Sequence, residues 1–403
     1  MRAGTKLAAL GARLDERTPA HRDRAVDGLR ALALLAVPTG HWLVGGFTLG
    51  PDGGLRNASP LTTFAALAPA SWILQMLGVF FLVGGYSSGL SYRRRDGSAG
   101  RWTAGRLRRL GRPVVGVMAV WALLLPLLHH GLGVPVSTLH TASTLVVQPL
   151  WFVGVYAVVT ALTPYCVRAS ARLGSLAAVP LIGSVAVVDL LRYGPYADAT
   201  PSWLGLLNVL PGWMFAYQLG VSWADRRLGR AGAWLLLAGG TALFATLLLA
   251  FHYPMSMVGV PGQARTNSHP PSLLVLALAA AQSGAAILLR DRLARLLKRP
   301  ALWVPVVVVN LSAMTILCWH QTAMLAAAVP GSYAGRIPGL TEAPDTAGWI
   351  LARAAWLPVF AGLLAVIVRF ARPLESPWER AGTARRVAAC ILAVAFGCFA
   401  LVV

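Results

Sequence analysis

Two ionisable side chains, Arg30 and His41, stand eleven residues apart in the run RDRAVDGLRALALLAVPTGHWLVGGF. At about 100° per residue, a helix brings them to within roughly 20° of a common line. Asp27, fourteen residues before His41, falls within about 40° of that line. The rise of the helix puts His41 roughly 16 Å along the axis from Arg30. An imidazole in that position suits general-base chemistry, because its ordinary pKa is near neutrality and it can take a proton from an attacking hydroxyl. It equally suits a structural hydrogen bond between helices, as Arg30 alone equally suits a charge anchor at a membrane surface. Pro38, one turn before His41, is expected to loosen the helix and turn the facing by tens of degrees.

Further groups have spacings that bear on chemistry. His320, beside Trp319, sits inside a later apolar segment, where a second imidazole would orient the base or the substrate, or simply tie helices together. Arg106 and Arg109 are three residues apart on one predicted helical face, and a guanidinium pair grips phosphates bidentately. They belong to eight arginines between Arg93 and Arg112, a density to which topology signals also contribute. Trp42, Trp151 and Tyr156 are candidate cavity-lining residues, as are Asp27, Trp319 and His320. Asn310 and Ser312 are candidate hydrogen-bond partners. His129, His130 and His140 lie in a predicted outer loop without a carboxylate or cysteine at ligand spacing, so no metal site is expected. The four cysteines, Cys166, Cys318, Cys390 and Cys398, read as small hydrophobes. Neither a GxxxxGK[ST] phosphate loop nor a GxSxG nucleophile elbow occurs.

The elements that must position these residues are membrane helices. Of 403 residues, 57% are hydrophobic and only 12% charged, about half the usual charged share of a soluble domain. Mean hydropathy is +0.64. A span needs about 20 mostly apolar residues, and eleven segments qualify: 28–49, 67–91, 112–130, 149–167, 174–192, 203–223, 232–252, 271–289, 302–328, 349–370 and 386–403. With the N-terminus inside, the tail and the loops after even-numbered spans hold 30 of the 35 Lys and Arg. Arg56, Arg192, Arg265, Arg336 and Arg353 fall outside. This asymmetry predicts a cytoplasmic N-terminus. The net charge of +21 is thereby accounted for by topology, and no nucleic-acid partner is expected. No signal peptide with a cleavage site is seen. The expectation is an all-α polytopic transmembrane helical bundle of 10–11 spans in the inner (plasma) membrane. It divides into a cytoplasmic tail (1–26), a membrane domain (27–370), and a cytoplasmic loop with an extra C-terminal helix (371–403).

The motifs, taken in order, resemble those of the acyltransferase-3 family of integral-membrane O-acyltransferases. Arg30-x10-His41 after Asp-Gly-Leu looks like the family's opening motif. FFLVGGYSSGL at 80–90 resembles its Phe-Phe-x-x-Ser-Gly-Tyr segment, with Gly84 where serine is usual. RLRRLGRP at 106–113, PLWFVGVYAVVTALTPY at 149–165 and SAMTILCWHQTAML at 312–325 resemble its Arg-x-x-Arg, Leu-Trp-Phe-x-x-x-Tyr and Trp-His segments. The resemblance covers residues 20–370.

The resemblance implies an acyl-CoA co-substrate arriving from the cytoplasm, no metal, and a hydroxyl acceptor on a glycan, lipid-linked sugar or secondary metabolite. His41 would be catalytic with Arg30, and Arg106 and Arg109 would hold the donor. The competing reading of the intramembrane histidines is a proton relay in a small-molecule transporter or flippase. It calls for inverted repeats and mid-membrane acidic residues, and neither is seen. A membrane acyltransferase of the amino-sugar-acetylating class and a structural membrane protein complete the alternatives.

Overall fold

The computed structural model describes residues 22–263, 265–375 and 382–402, together with Glu16 and Pro19. The expected tail, 1–26, lies largely outside them.

The first helix, α1 (Arg24–Val44), starts where the Asp23 carboxylate accepts the N–H groups of Ala25 and Val26, satisfying donors that a helix start leaves free. It passes through Pro38 without a break, so the expected loosening there does not interrupt the element that carries both Arg30 and His41. It stops at Val44, five residues earlier than the sequence predicts. Gly45 and Gly46 follow, and Gly46–Leu49 (β1) turns back antiparallel on Leu55–Ala58 (β2). Gly53, at φ +71, makes the turn, a conformation that suits glycine. The Thr138 and Thr141 hydroxyls fasten the hairpin at the backbone of Leu55.

The remaining helices are α2 (Ala70–Leu74), α3 (Leu77–Arg93), α4 (Ala99–Pro126), α5 (Val136–Val147), α6 (Leu150–Ala161), α7 (Thr163–Leu173), α8 (Val179–Tyr193), α9 (Val209–Ala224), α10 (Arg230–Leu249), α11 (Leu273–Leu296), α12 (Pro300–Leu311), α13 (Ala313–Tyr333), α14 (Ala347–Glu375) and α15 (Thr383–Val402). Among the described residues, nine helical stretches are long and apolar enough to cross a membrane, and a bent pair raises that to ten. The chain is an all-α polytopic bundle.

Several expected boundaries move. The segment 302–328 is two helices, α12 and α13, bent by 80° at Ser312. The Asn310 side chain bonds the carbonyls of Val306 and Asp27 there, the kind of re-satisfaction that lets a membrane helix break. Residues 136–147, expected as outer loop, form α5, which joins α6 in one 26-residue apolar stretch. His140 is therefore on a helix. His129 and His130 end a π-helical turn, Leu127–Gly131.

The chain reverses after α7. Ser170 bonds Asp225 at one end of α9, while Asp189 bonds Asn208 at the other. Asp225 also pairs with Arg93, so the ends of α3, α7 and α9 share one arginine-rich level.

α1 itself is not among the nine stretches, because Arg24, Asp27, Arg30 and His41 dilute its apolar content. It packs against α3, α11, α12, α13 and α14 and leaves one face, carrying Leu32 and Leu35, exposed. α3 and α9 approach almost backbone to backbone. A Cβ on Gly85 would stand 2.0 Å from the Tyr217 carbonyl oxygen, and one on Gly220 would stand 1.9 Å from that of Leu82. Small residues at such a crossing are what lets membrane helices close on one another.

Candidate active site

α1 and the second half of the bent pair, α13, bring His41 and His320 together. His320 Nε2 lies 3.0 Å from His41 Nδ1, with ring centroids 5.0 Å apart. Gln321, the next residue on α13, reaches the same His41 Nδ1 at 3.2 Å. The Trp42 indole N–H donates to the His320 carbonyl at 3.0 Å, so neighbours in sequence on each helix fix the other helix.

The hydrogen-bond directions determine which nitrogen of His41 is basic. His320 Nδ1 lies 2.9 Å from the Leu317 carbonyl oxygen, and an oxygen can only accept, so His320 carries its proton on Nδ1. Neutral His320 then offers a lone pair at Nε2, and His41 Nδ1 must be the donor to it. Gln321 Oε1 is buried without a partner while its amide nitrogen faces His41. Turning the amide over puts an acceptor beside the His41 N–H and removes the meeting of two donors there. In this arrangement His41 Nε2 is unprotonated, as a general base requires.

His41 lines a cavity with Gly40 and Val37 of α1, Gln75 and Ser71, Gln148 and Trp151, Phe152, Leu317, and the loop residues Ser268 and His269. Its lining combines apolar side chains with neutral amides, hydroxyls and imidazoles, and among the described residues it contains no carboxylate, lysine or arginine. The loop closes one side: Gln75 Nε2 donates to Ser268 Oγ at 2.6 Å, and His269 stands edge-on to Trp151, centroids 4.5 Å apart. The cavity walls that partly enclose His269 lower its imidazole below the usual pKa, since lost hydration disfavours the cation, while part of the ring stays exposed.

The other end of α1 forms a second cluster. Arg30 donates to Ser87 Oγ of α3 and lies 3.5 Å from the Asp27 carboxylate, which Arg22 also holds at 2.5 Å. Asp27 is thus a buried carboxylate between two guanidiniums rather than part of the His41 cavity. The Tyr156 hydroxyl stands against Gly84 of α3, three residues before the Ser87 that Arg30 holds, so Arg30 and Tyr156 meet the same stretch of α3. Arg106 is half-buried over the Trp102 ring at 5.4 Å, with its Nε lacking a partner. Arg109 is exposed and folds back on Gly105, so the two arginines do not present a matched pair. Trp151 and Tyr156 lie on one helix, α6, with Trp151 at the His41 end and Tyr156 at the arginine end.

The other expected cavity residues take different places. Trp42 packs on Phe360, and Trp319 is buried in the core around α13 with its indole N–H unpartnered. Neither lines the His41 cavity. Gly84, where the family motif has serine, is explained by Tyr156: a Cβ on Gly84 would stand 2.7 Å from the tyrosine hydroxyl. Among the described residues no group of three or more metal-binding side chains is found.

Three site residues were not singled out from the sequence. Gln321 follows the Trp-His motif directly, and that adjacency was the available signal. His269, in a Ser-His-Pro-Pro loop, carries no pattern that links it to His41. Arg353 reads as an outer charge, yet it is fully buried. It donates to the Trp42 carbonyl at 2.5 Å, to the Gly339 carbonyl at 2.9 Å and to the Gly45 carbonyl.

A multi-span helical bundle with two histidines in contact over a cavity, and an arginine cluster at the other end of the same helix, defines the class: a multi-pass membrane protein with a polar site inside its bundle. The family model described as "Acyltransferase domain" matches residues 23–372, and the chain belongs to the acyltransferase-3 family. α15 lies beyond that stretch. Neither a curated protein nor a solved structure gave a match.

Proposed function

We propose that this protein transfers an acyl group, acetyl or another short chain, from cytoplasmic acyl-CoA to a hydroxyl of a glycan, lipid-linked sugar or secondary metabolite at the inner membrane, with His41 as general base. The observation that carries the proposal is the His320–His41 hydrogen bond, whose donor and acceptor pattern leaves His41 Nε2 free to accept a proton.

The N-terminus is cytoplasmic in this reading, on the strength of the Lys and Arg asymmetry. The arginine-rich end then faces the donor. Arg106 and Arg30, with Arg109 at the rim, attract the CoA phosphates, and the thioester extends along α6 towards His41. The roughly 16 Å from Arg30 to His41 suits an extended pantetheine arm. The acceptor enters from the side of the His269 loop. A cavity lined by neutral amides, hydroxyls and aromatic rings favours an uncharged hydroxyl-bearing group.

His41 Nε2 takes the hydroxyl proton as the oxygen attacks the thioester carbonyl and the new C–O bond forms. The tetrahedral intermediate collapses, the C–S bond breaks, and the proton passes from His41 to the departing CoA sulfur. His320 and Gln321 stabilise the imidazolium that exists between these steps by accepting from its Nδ1–H. Membranes from cells expressing His41→Ala, supplied with radiolabelled acetyl-CoA, test this reading. Label incorporation should fall to background. Undiminished incorporation by a folded variant would remove the mechanism.

A further inference from the structure

Arg353 is buried in the bundle, and among the described residues its hydrogen-bond partners are three backbone carbonyls and a thioether, with no carboxylate. A buried cation without a counter-ion is costly, so its contacts are informative. Two of the carbonyls, Trp42 and Gly45, flank the last turn of α1, where a helix end leaves carbonyls without intrahelical donors. His41 lies in that turn, and its own carbonyl already accepts from the Gly45 N–H at 2.8 Å. The guanidinium therefore closes the hydrogen bonding of the turn that carries the base.

The same guanidinium reaches α13. Its Nη2 lies 2.9 Å from Met324 Sδ, one turn beyond His320 and Gln321. The Phe360 ring, 4.8 Å from the guanidinium carbon, covers it and also packs on Trp42. The third carbonyl, Gly339, belongs to the loop before α14. A planar group with five N–H donors in a fixed fork can hold several carbonyls at once, whereas an ammonium holds them as a single point.

We infer that Arg353 is a positioning residue for the His41 base: it staples the last turn of α1 to α13 and so sets the distance between His41 and His320. This rests on the general-base reading above. It acts through backbone carbonyls rather than by touching substrate, so its loss should lower kcat and leave donor binding intact.

The test uses the full-length protein in native membranes, which hold the acceptor, with radiolabelled acetyl-CoA as the probe. Arg353→Lys keeps the charge and most of the volume but not the fork. It should lower the rate at saturating acetyl-CoA by about 10- to 100-fold, the scale expected of a misplaced catalytic group. KM for acetyl-CoA and the thermal midpoint of the purified protein should stay near wild type. Arg353→Met provides the uncharged comparison, and in a His320→Ala background, which keeps a measurable rate but has lost the His41–His320 contact, it should add little further loss. Arg353→Lys at the wild-type rate would overturn the inference, as would a loss that only tracks the amount of folded protein, or an additive loss in the double variant. Full activity of His41→Ala alone would instead overturn the general-base reading, so the two failures are distinguishable.

Discussion

His320 Nε2 and His41 Nδ1 are 3.0 Å apart, and the Leu317 carbonyl 2.9 Å from His320 Nδ1 fixes which of them donates. The proton positions in this relay are thus determined by a backbone oxygen on α13, two hydrogen bonds from the nitrogen that would do the chemistry.

The first prediction follows from that direction of donation. His320→Ala removes the acceptor of the His41 N–H, lets the imidazole rotate, and frees the wrong tautomer. The rate at saturating donor should fall about 100-fold or more, the range associated with positioned proton transfer, while KM for acetyl-CoA changes little. Gln321→Leu should produce a smaller loss, since it removes only the 3.2 Å contact. Steady-state kinetics on both variants check this, and a Gln321→Leu loss larger than that of His320→Ala would contradict the assigned roles.

Arg106 and Arg109 should not be equivalent. Arg106 is half-buried over the Trp102 ring, whereas Arg109 is exposed and turned back on its own helix. Arg106→Gln should raise KM for acetyl-CoA about 10-fold or more, since charge-assisted phosphate contacts are among the stronger hydrogen bonds. Arg109→Gln should raise it less. Equilibrium binding of CoA to the purified variants measures both.

Gly84→Ser would introduce the residue usual in the family motif, yet it should destabilise this protein. The new Cβ meets the Tyr156 hydroxyl at 2.7 Å and its ring at 2.8 Å. Tyr156 cannot swing aside easily, because Phe80, Phe152 and Tyr217 pack around it. Overpacking of this kind costs about 1–3 kcal/mol, read as a lowered thermal midpoint. Adding Tyr156→Ala should recover part of it, so a double variant no more stable than Gly84→Ser would contradict the explanation.

The chain's own residues determined that this is a membrane bundle, and determined its family. Long apolar runs separated by arginine clusters reflect the lack of water in a bilayer core, which forces backbone groups into helices and charges to the ends. The Arg30 and His41 spacing was legible for a similar reason: α1 is continuous, and along one helix angular position follows from counting. What the sequence left open depended on more than one element. The short fit of α1, ended by a glycine pair and a hairpin, and the 80° break at Ser312 come from backbone groups finding partners on other segments. Asn310 bonding the Asp27 carbonyl is one such case.

Arg353 shows the limit most clearly. In the sequence it is one charge among five on the outer side, and charge counting places it in water. Only the tertiary structure gathers the carbonyls of Trp42, Gly45 and Gly339 around it, because those oxygens come from segments about three hundred and about fourteen residues away. The same holds for the histidines. His41 and His320 are each readable as intramembrane imidazoles, but the proton order between them is settled by the packing of α1 against α13, and no local spacing encodes that contact.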